Sequence, residues 1–163
     1  MRPVEQTPTE PSDYAALSLT YGSLLAVLAA SARDREAIEP KELLPLSAAT
    51  FALSKLIVRE KAETWIRRPF VEETPGEPRP RGRGLRYAIG ELLTCTRCTG
   101  AWSGLALVGL RLHAPRTART VTAVLAASAG NDLLQAGFSW LCARATSQQH
   151  EADADTLPRR RAA

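Results

Sequence analysis

The sequence predicts an all-α fold, a small multi-spanning transmembrane helical bundle of four helices, with three as the alternative count. Three observations carry this. Charged residues crowd into 33–42, 59–86 and the two ends of the 163-residue chain, leaving long stretches almost free of them. Those stretches approach the ~20 residues that cross a hydrocarbon core. Within them small residues recur four apart, the spacing by which spans pack closely. The apolar fraction of 45% is ordinary for a globular protein, so it is the distribution that points to a membrane.

Residues 1–13 (MRPVEQTPTEPSD) are polar, carry three prolines and read as a disordered leader to a helical membrane domain over 14–143. The first span is 14–32 (YAALSLTYGSLLAVLAASA), 19 residues without a charge, where a soluble surface helix would need a polar face. The second is 43–58 (LLPLSAATFALSKLIV), short at 16 residues, with Lys55 as its only charge and Glu42 or Arg59 snorkelling at its ends. Residues 59–86 hold eight basic residues, four prolines and three glycines, so a basic Pro/Gly-rich surface loop is expected over 59–91. The third span, 92–112, carries Arg97 and Arg111 near its ends, and the fourth, 120–143, contains Asn131, Asp132 and Gln135. The tail, 144–163, is polar, ends in three arginines and reads as disordered.

Orientation follows from the basic residues beside the spans. Leader, loop and tail together carry thirteen and the two short connectors five, which places both termini in the cytoplasm of a bacterial cell, the chain being a multi-pass protein of the cell membrane. A rival reading takes residues 1–32 as a cleaved signal peptide ending in Ala30-Ser31-Ala32. The acidic leader, Arg2 against Glu5, Glu10 and Asp13, argues against it. Lys and Arg are neither gathered on one face nor interleaved with aromatics, which excludes a nucleic-acid platform. Three cysteines in a chain this long do not describe a secreted disulfide scaffold.

From Ala49 onward the sequence ATFALSKLIVREKAETWIRRPF, a Pro/Gly/Arg-rich loop and then GELLTCTRCTGAWSGL resembles the bacterial domain of unknown function 1360 family, in its actinobacterial form. The family pattern falls on Lys55, Leu56, Glu60, Pro69, Glu91, Leu92, Cys95, Cys98, Gly100 and Trp102, and Asp132 to Gln135 matches an acidic run in its last helix. Thr96 stands where the family has proline, Arg97 where it often has an aromatic and Ala52 where it has arginine. The resemblance covers residues 47–137 and implies an integral membrane protein of unspecified chemistry.

Two constellations are candidates for function. Cys95 and Cys98, three apart at a helix start, have the geometry of a redox dithiol or half a metal site, or of small apolar residues that pack. Antiparallel third and fourth spans would bring Cys142 to the same height, so that three cysteines with His150 or Glu91 would bind zinc. Asp132 is the costly residue, since a carboxylate at mid-span costs about 2.5–3.5 kcal/mol. Its expected company is Asn131, Gln135 and Lys55, as a structural polar contact or a carboxylate kept protonated, with a proton or ion relay as the functional alternative. Counted inward from the cytoplasmic ends, Lys55 and Asp132 are mismatched by ~10 Å.

Gly100 and Gly104, like Ala126 and Gly130, suit close helix packing or homo-oligomers, Trp102 and Trp140 suit interfacial anchors, and His113 is assigned no role. No nucleophile, base and oxyanion donor are assembled, so the sequence favours a non-enzymatic structural or interaction role, with a membrane thiol-redox or metal-binding protein and a soluble helical bundle as alternatives. Expected partners are the bilayer, anionic lipid at the 59–86 loop, and a second copy or another membrane protein.

Overall fold

The computed structural model describes residues 6–74 and 78–161, with side chains through 148. Residues 1–5 of the expected leader and 75–77 of the expected loop lie outside these. The chain is all-α apart from one two-residue strand pair: α1 (Pro11–Ser31), α2 (Pro40–Arg59), a 3-10 turn (Lys61–Glu63), α3 (Thr64–Arg67), β1 (Val71–Glu72), β2 (Arg79–Pro80), α4 (Leu85–Thr94), α5 (Thr96–His113) and α6 (Pro115–Arg161).

The first two long helices start with the same device. Pro11 and Pro40 occupy first-turn positions, where a missing N–H costs nothing. Asp13 and Glu42, two residues further on, accept the amides of Glu10 and Glu39 at 2.8 and 3.0 Å. Pairwise contacts fix the directions. Gly100 faces Ser54 and Gly104 faces Thr50, so α2 and α5 are antiparallel; Leu28 lies against Gly109 and Tyr21 against Trp102, so α1 and α5 are parallel. Ala114 alone separates α5 from α6. The result is an up-and-down arrangement of α1, α2, α5 and α6, with everything between α2 and α5 at one end.

Its interior is built from small side chains. Ala49, Ala52, Ser54, Thr99, Ser103, Ala118 and Ala129 are buried, and the hydrophobic centre is Leu46, Ala49 and Leu107 with Ile38, Leu53, Val121 and Leu125 against it. Large apolar residues point outward instead: Leu19, Leu44 and Leu134 are 71%, 79% and 76% exposed, and α1 buries no residue at all.

Three differences from the expectation stand out. Of the four expected spans, only Pro11–Ser31 is long and apolar enough by itself to cross a membrane; α2, α5 and α6 are diluted by Lys55, by Arg97 and Arg111, and by Asn131, Asp132 and Gln135. The loop is folded: α4 begins at Leu85 within it, α5 starts at Thr96 and not at residue 92, and β1 and β2 pair Val71 with Pro80 and Glu72 with Arg79. Finally, α6 continues to Arg161, through the segment that reads as a tail.

Two arginines of the loop tie it to itself and to the end of α2. Buried Arg67 donates from Nη1 to the Ile57 carbonyl at 2.7 Å and from Nη2 to Glu73 at 2.8 Å, while Arg86 donates twice to the Pro69 carbonyl. The strand pair then sits on α4 at Gly90, where a Cβ would lie 2.5 Å from the Phe70 carbonyl oxygen. At the opposite end buried Arg111 donates to both oxygens of Glu42, at 2.8 and 3.1 Å, and reaches Glu36 at 3.6 Å. This joins α5, α2 and the α1–α2 connector.

Both sets of contacts are open to test. Gly90→Ala must push the strand pair off α4 and is expected to destabilise by about 1–3 kcal/mol. Gly22→Ala, where a Cβ meets nothing within 4 Å, should be neutral or stabilising. Equal melting temperatures for the two variants would contradict the docking. The hydrogen bonds from Arg111 hold the Glu42 carboxyl below the usual carboxylate range. A carboxyl so lowered stabilises fully above its unfolded value and loses that contribution as pH falls through the folded one. The melting temperature of the native chain should therefore drop on acidification more than that of Glu42→Gln; parallel pH profiles would contradict this.

Candidate functional site

The end of the bundle formed by the start of α5 gathers most of the chemistry. Cys95 is extended (φ −105°, ψ 109°) because the chain must turn between α4 and α5, and it caps α5 with its sulfur, which accepts the Cys98 amide N–H at 3.3 Å. Thr99 locks the corner: its hydroxyl donates to the Leu92 carbonyl at 2.7 Å and its amide to the Cys95 carbonyl at 3.0 Å. Both cysteines are half-buried. One turn back, Glu91 accepts the Tyr14 hydroxyl at 2.5 Å, tying α4 to the start of α1, and Thr9 lies 3.2 Å from the same hydroxyl.

Close to this level Lys55 Nζ and Asp132 Oδ2 meet at 2.8 Å, with side chains 34% and 29% exposed. The ~10 Å mismatch expected from the sequence is absent for a geometric reason. That count began at the far end of α6, whereas α6 continues past it, and α2 and α6 share a level at their starts. Lys55 is fifteen residues after Pro40 and Asp132 seventeen after Pro115, so the two arrive together. Asn131 and Gln135 are exposed and are not part of this contact.

Cys142 does not lie level with Cys95 and Cys98. It is twenty-seven residues after Pro115, about 40 Å along α6, while the 18 residues of α5 rise only about 27 Å. Among the described residues no three His, Cys, Asp or Glu side chains gather as a metal-binding group. The side chain of His150 lies outside the described residues.

The remaining candidates sort by what they touch. Gly100 and Gly104 admit α2, as the small-residue spacing predicts, but a Cβ on Gly130 would meet nothing, and Ala129 takes the buried position on α6. Trp102 packs edge-on against Tyr21 at 5.3 Å, between α5 and α1. Trp140 is exposed, with the Arg144 guanidinium 5.5 Å from its ring. His113 lies 3.4 Å from the Ser31 hydroxyl. The Tyr14–Glu91 and Arg111–Glu42 contacts were missed by sequence reasoning. The reasoning that demands a partner for Asp132 applies equally to Arg111 inside an apolar run and would have found it.

Residues 45–138 match the family described as "Protein of unknown function (DUF1360)". The chain is also 32% identical over 90 residues to the sporulation protein YjcA of Bacillus subtilis (strain 168), a likeness that covers 50% of this chain and 76% of that protein. No solved structure matches it.

The paired charges yield a prediction. Asp132→Ala or Lys55→Ala alone leaves an uncompensated charge and should destabilise more than the double variant implies, giving a coupling energy of about 1 kcal/mol for this partly exposed pair in a double-mutant cycle of thermal melts. Additive single effects would show that the contact contributes nothing.

Proposed function

The chain belongs to the DUF1360 family of proteins of unknown function, and on that premise we propose that it is a multi-spanning integral protein of the bacterial cell membrane with a structural or interaction role. One observation carries this reading: the bundle is small inside and large outside. A soluble bundle buries its leucines and phenylalanines, because removing them from water is what stabilises it. Here Leu19, Leu24, Leu25, Val27, Leu43, Leu44, Phe51, Val124, Leu133, Leu134 and Phe138 are all exposed, and the helices meet through Ala, Gly, Ser and Thr. That is the packing of helices surrounded by lipid, where apolar side chains gain nothing by facing one another and close backbone approach supplies the attraction. Monomeric soluble proteins rarely expose so many large apolar side chains together, which supports this reading.

The proposed spans are α1, α2 from Leu43, α5 and the first part of α6. Between the level of Glu42, Arg111 and Arg119 and that of Lys55 and Asp132, the last three helices carry no charge over 12 or 13 residues, about 18–20 Å. One further turn brings α2 to Arg59. The belt is thinner than the ~30 Å of an average hydrocarbon core, which snorkelling of Lys55 and local thinning accommodate. The Lys55–Asp132 pair then lies towards one edge of the membrane and not at its centre.

The folded loop lies at the level of Arg59. With thirteen basic residues among leader, loop and tail against five on the connectors, this side is the cytoplasmic one. Trp65, 73% exposed on α3 beside Arg68, suits an interfacial anchor with anionic lipid as its partner. The Ala126 and Gly130 spacing on α6, where a Cβ on Gly130 would meet nothing within 4 Å, supports association with a second helix, from another copy or another membrane protein. The likeness to a sporulation protein makes spore-forming cells the first setting in which to look for such a partner.

Labelling with a membrane-impermeant maleimide tests the arrangement. In a background with all three cysteines replaced, Asp34→Cys should label in intact cells and Arg83→Cys only after lysis. The opposite pattern would invert the topology, and labelling of both in intact cells would remove it.

A further inference from the structure

The structural role leaves two thiols without a use. At the α4–α5 corner Cys95 stands where Ser, Thr, Asp or Asn would cap a helix best, and its sulfur takes the Cys98 amide at 3.3 Å. A neutral thiol is a weak acceptor there, whereas a thiolate is a strong one, and the amide groups and positive end of a helix favour that form. The Cys98 thiol lies within reach of the same sulfur, and the exposed Arg97 stands between the two in sequence. Cys95 at the cap and Cys98 in the first turn are neighbours, with the Cys95 sulfur 3.3 Å from the Cys98 amide nitrogen, the placement of a Cys-x-x-Cys pair at a helix start. Thr99, hydrogen-bonded to both Leu92 and Cys95, holds the corner fixed in either state.

We propose that Cys95 and Cys98 form a thiol–disulfide exchange site whose co-substrate is a disulfide presented at the face where α5 begins. The Cys95 thiolate attacks one sulfur of the incoming disulfide. The old S–S bond breaks with its electron pair on the departing sulfur, which takes up a proton from solvent and leaves as a thiol, and a mixed disulfide remains on Cys95. Cys98 then loses its proton to solvent and attacks the Cys95 sulfur, releasing the second half of the co-substrate as a thiolate that is protonated in turn. The Cys95–Cys98 pair is oxidised by two electrons and the co-substrate is reduced to two thiols; the reverse sequence with a dithiol resets the site. Cys142, exposed and distant along α6, takes no part.

The experiment uses the full chain with Cys142→Ala, purified in detergent, or in plain buffer should it be soluble, and exposed to glutathione disulfide as the probe. Intact mass should show both thiols lost together with no adduct. Adding Cys98→Ser should trap one glutathione per chain on Cys95, and Cys95→Ser, which keeps a capping oxygen and hence the corner, should react at least tenfold more slowly than Cys98→Ser. Independent loss of the two thiols at the rate of Cys142 in the unaltered chain, or equal adducts in the two serine variants, would overturn the proposal. The readout does not depend on the lipid environment. Exchange by a soluble chain would therefore overturn the membrane reading alone, and inert thiols in a membrane-bound chain would overturn this one alone.

Discussion

The close approach of α2, α5 and α6 through small side chains is the constraint on which the rest of this structure depends. Ala49, Ala52, Ser54, Gly100, Ser103, Gly104, Ala118 and Ala129 let the backbones meet, and in doing so they leave interior space for only a few of the large apolar residues, Leu46 and Leu107 among them. Apart from Leu46, Leu107 and the few that pack against them, those residues point away from the bundle. A fold whose attraction comes from dispersion and backbone proximity has little hydrophobic drive of its own in water, and its outer surface becomes the part that selects its surroundings.

Charge placement obeys the same constraint. Ionised groups stand at the two ends of the bundle, and the few that lie on helix faces are paired: Arg111 with Glu42 at one level, Lys55 with Asp132 at the other. Each pair joins α2 to a different neighbour, so the two together fix the rotation of α2, which apolar contacts among near-identical alanines would leave ill-defined. This registering role is the use of such pairs best supported by physical precedent, since their net stabilisation is small. The folded loop extends the ordering beyond the bundle. Arg67 and Arg86 satisfy the carbonyls of Ile57 and Pro69, and Tyr14 and Glu91 bring α4 back to the first helix.

Much of this was legible in the residues. The charge-free run at 14–32 becomes α1, the Gly100 and Gly104 spacing meets α2, and Lys55 and Asp132 find each other as a carboxylate inside an otherwise apolar run requires. The failures share a cause: heights were counted from assumed helix ends. α6 does not end where its polar tail begins, so Cys142 is carried about 13 Å beyond the cysteine pair and the mismatch assigned to Lys55 disappears. The loop was misread because prolines and glycines mark where a chain turns and carry no information on what it then packs against. Gly90 shows this, since its role emerges only when Phe70 and Pro80 lie on it. Helix–helix rotation was equally hidden, and with it the placement of Trp102 against Tyr21.

All of this assumes that the outward leucines, valines and phenylalanines have hydrocarbon beside them. Extraction of cell membranes carrying the full chain with alkaline carbonate examines that assumption most directly, because it strips proteins held by charge and spares those embedded in the core. The chain is expected to remain entirely in the pellet and to leave it only with detergent. Its release into the supernatant as a monodisperse monomer would mean that water wets the same surface, and a bundle held together by lipid on its outside would be the wrong description of this fold.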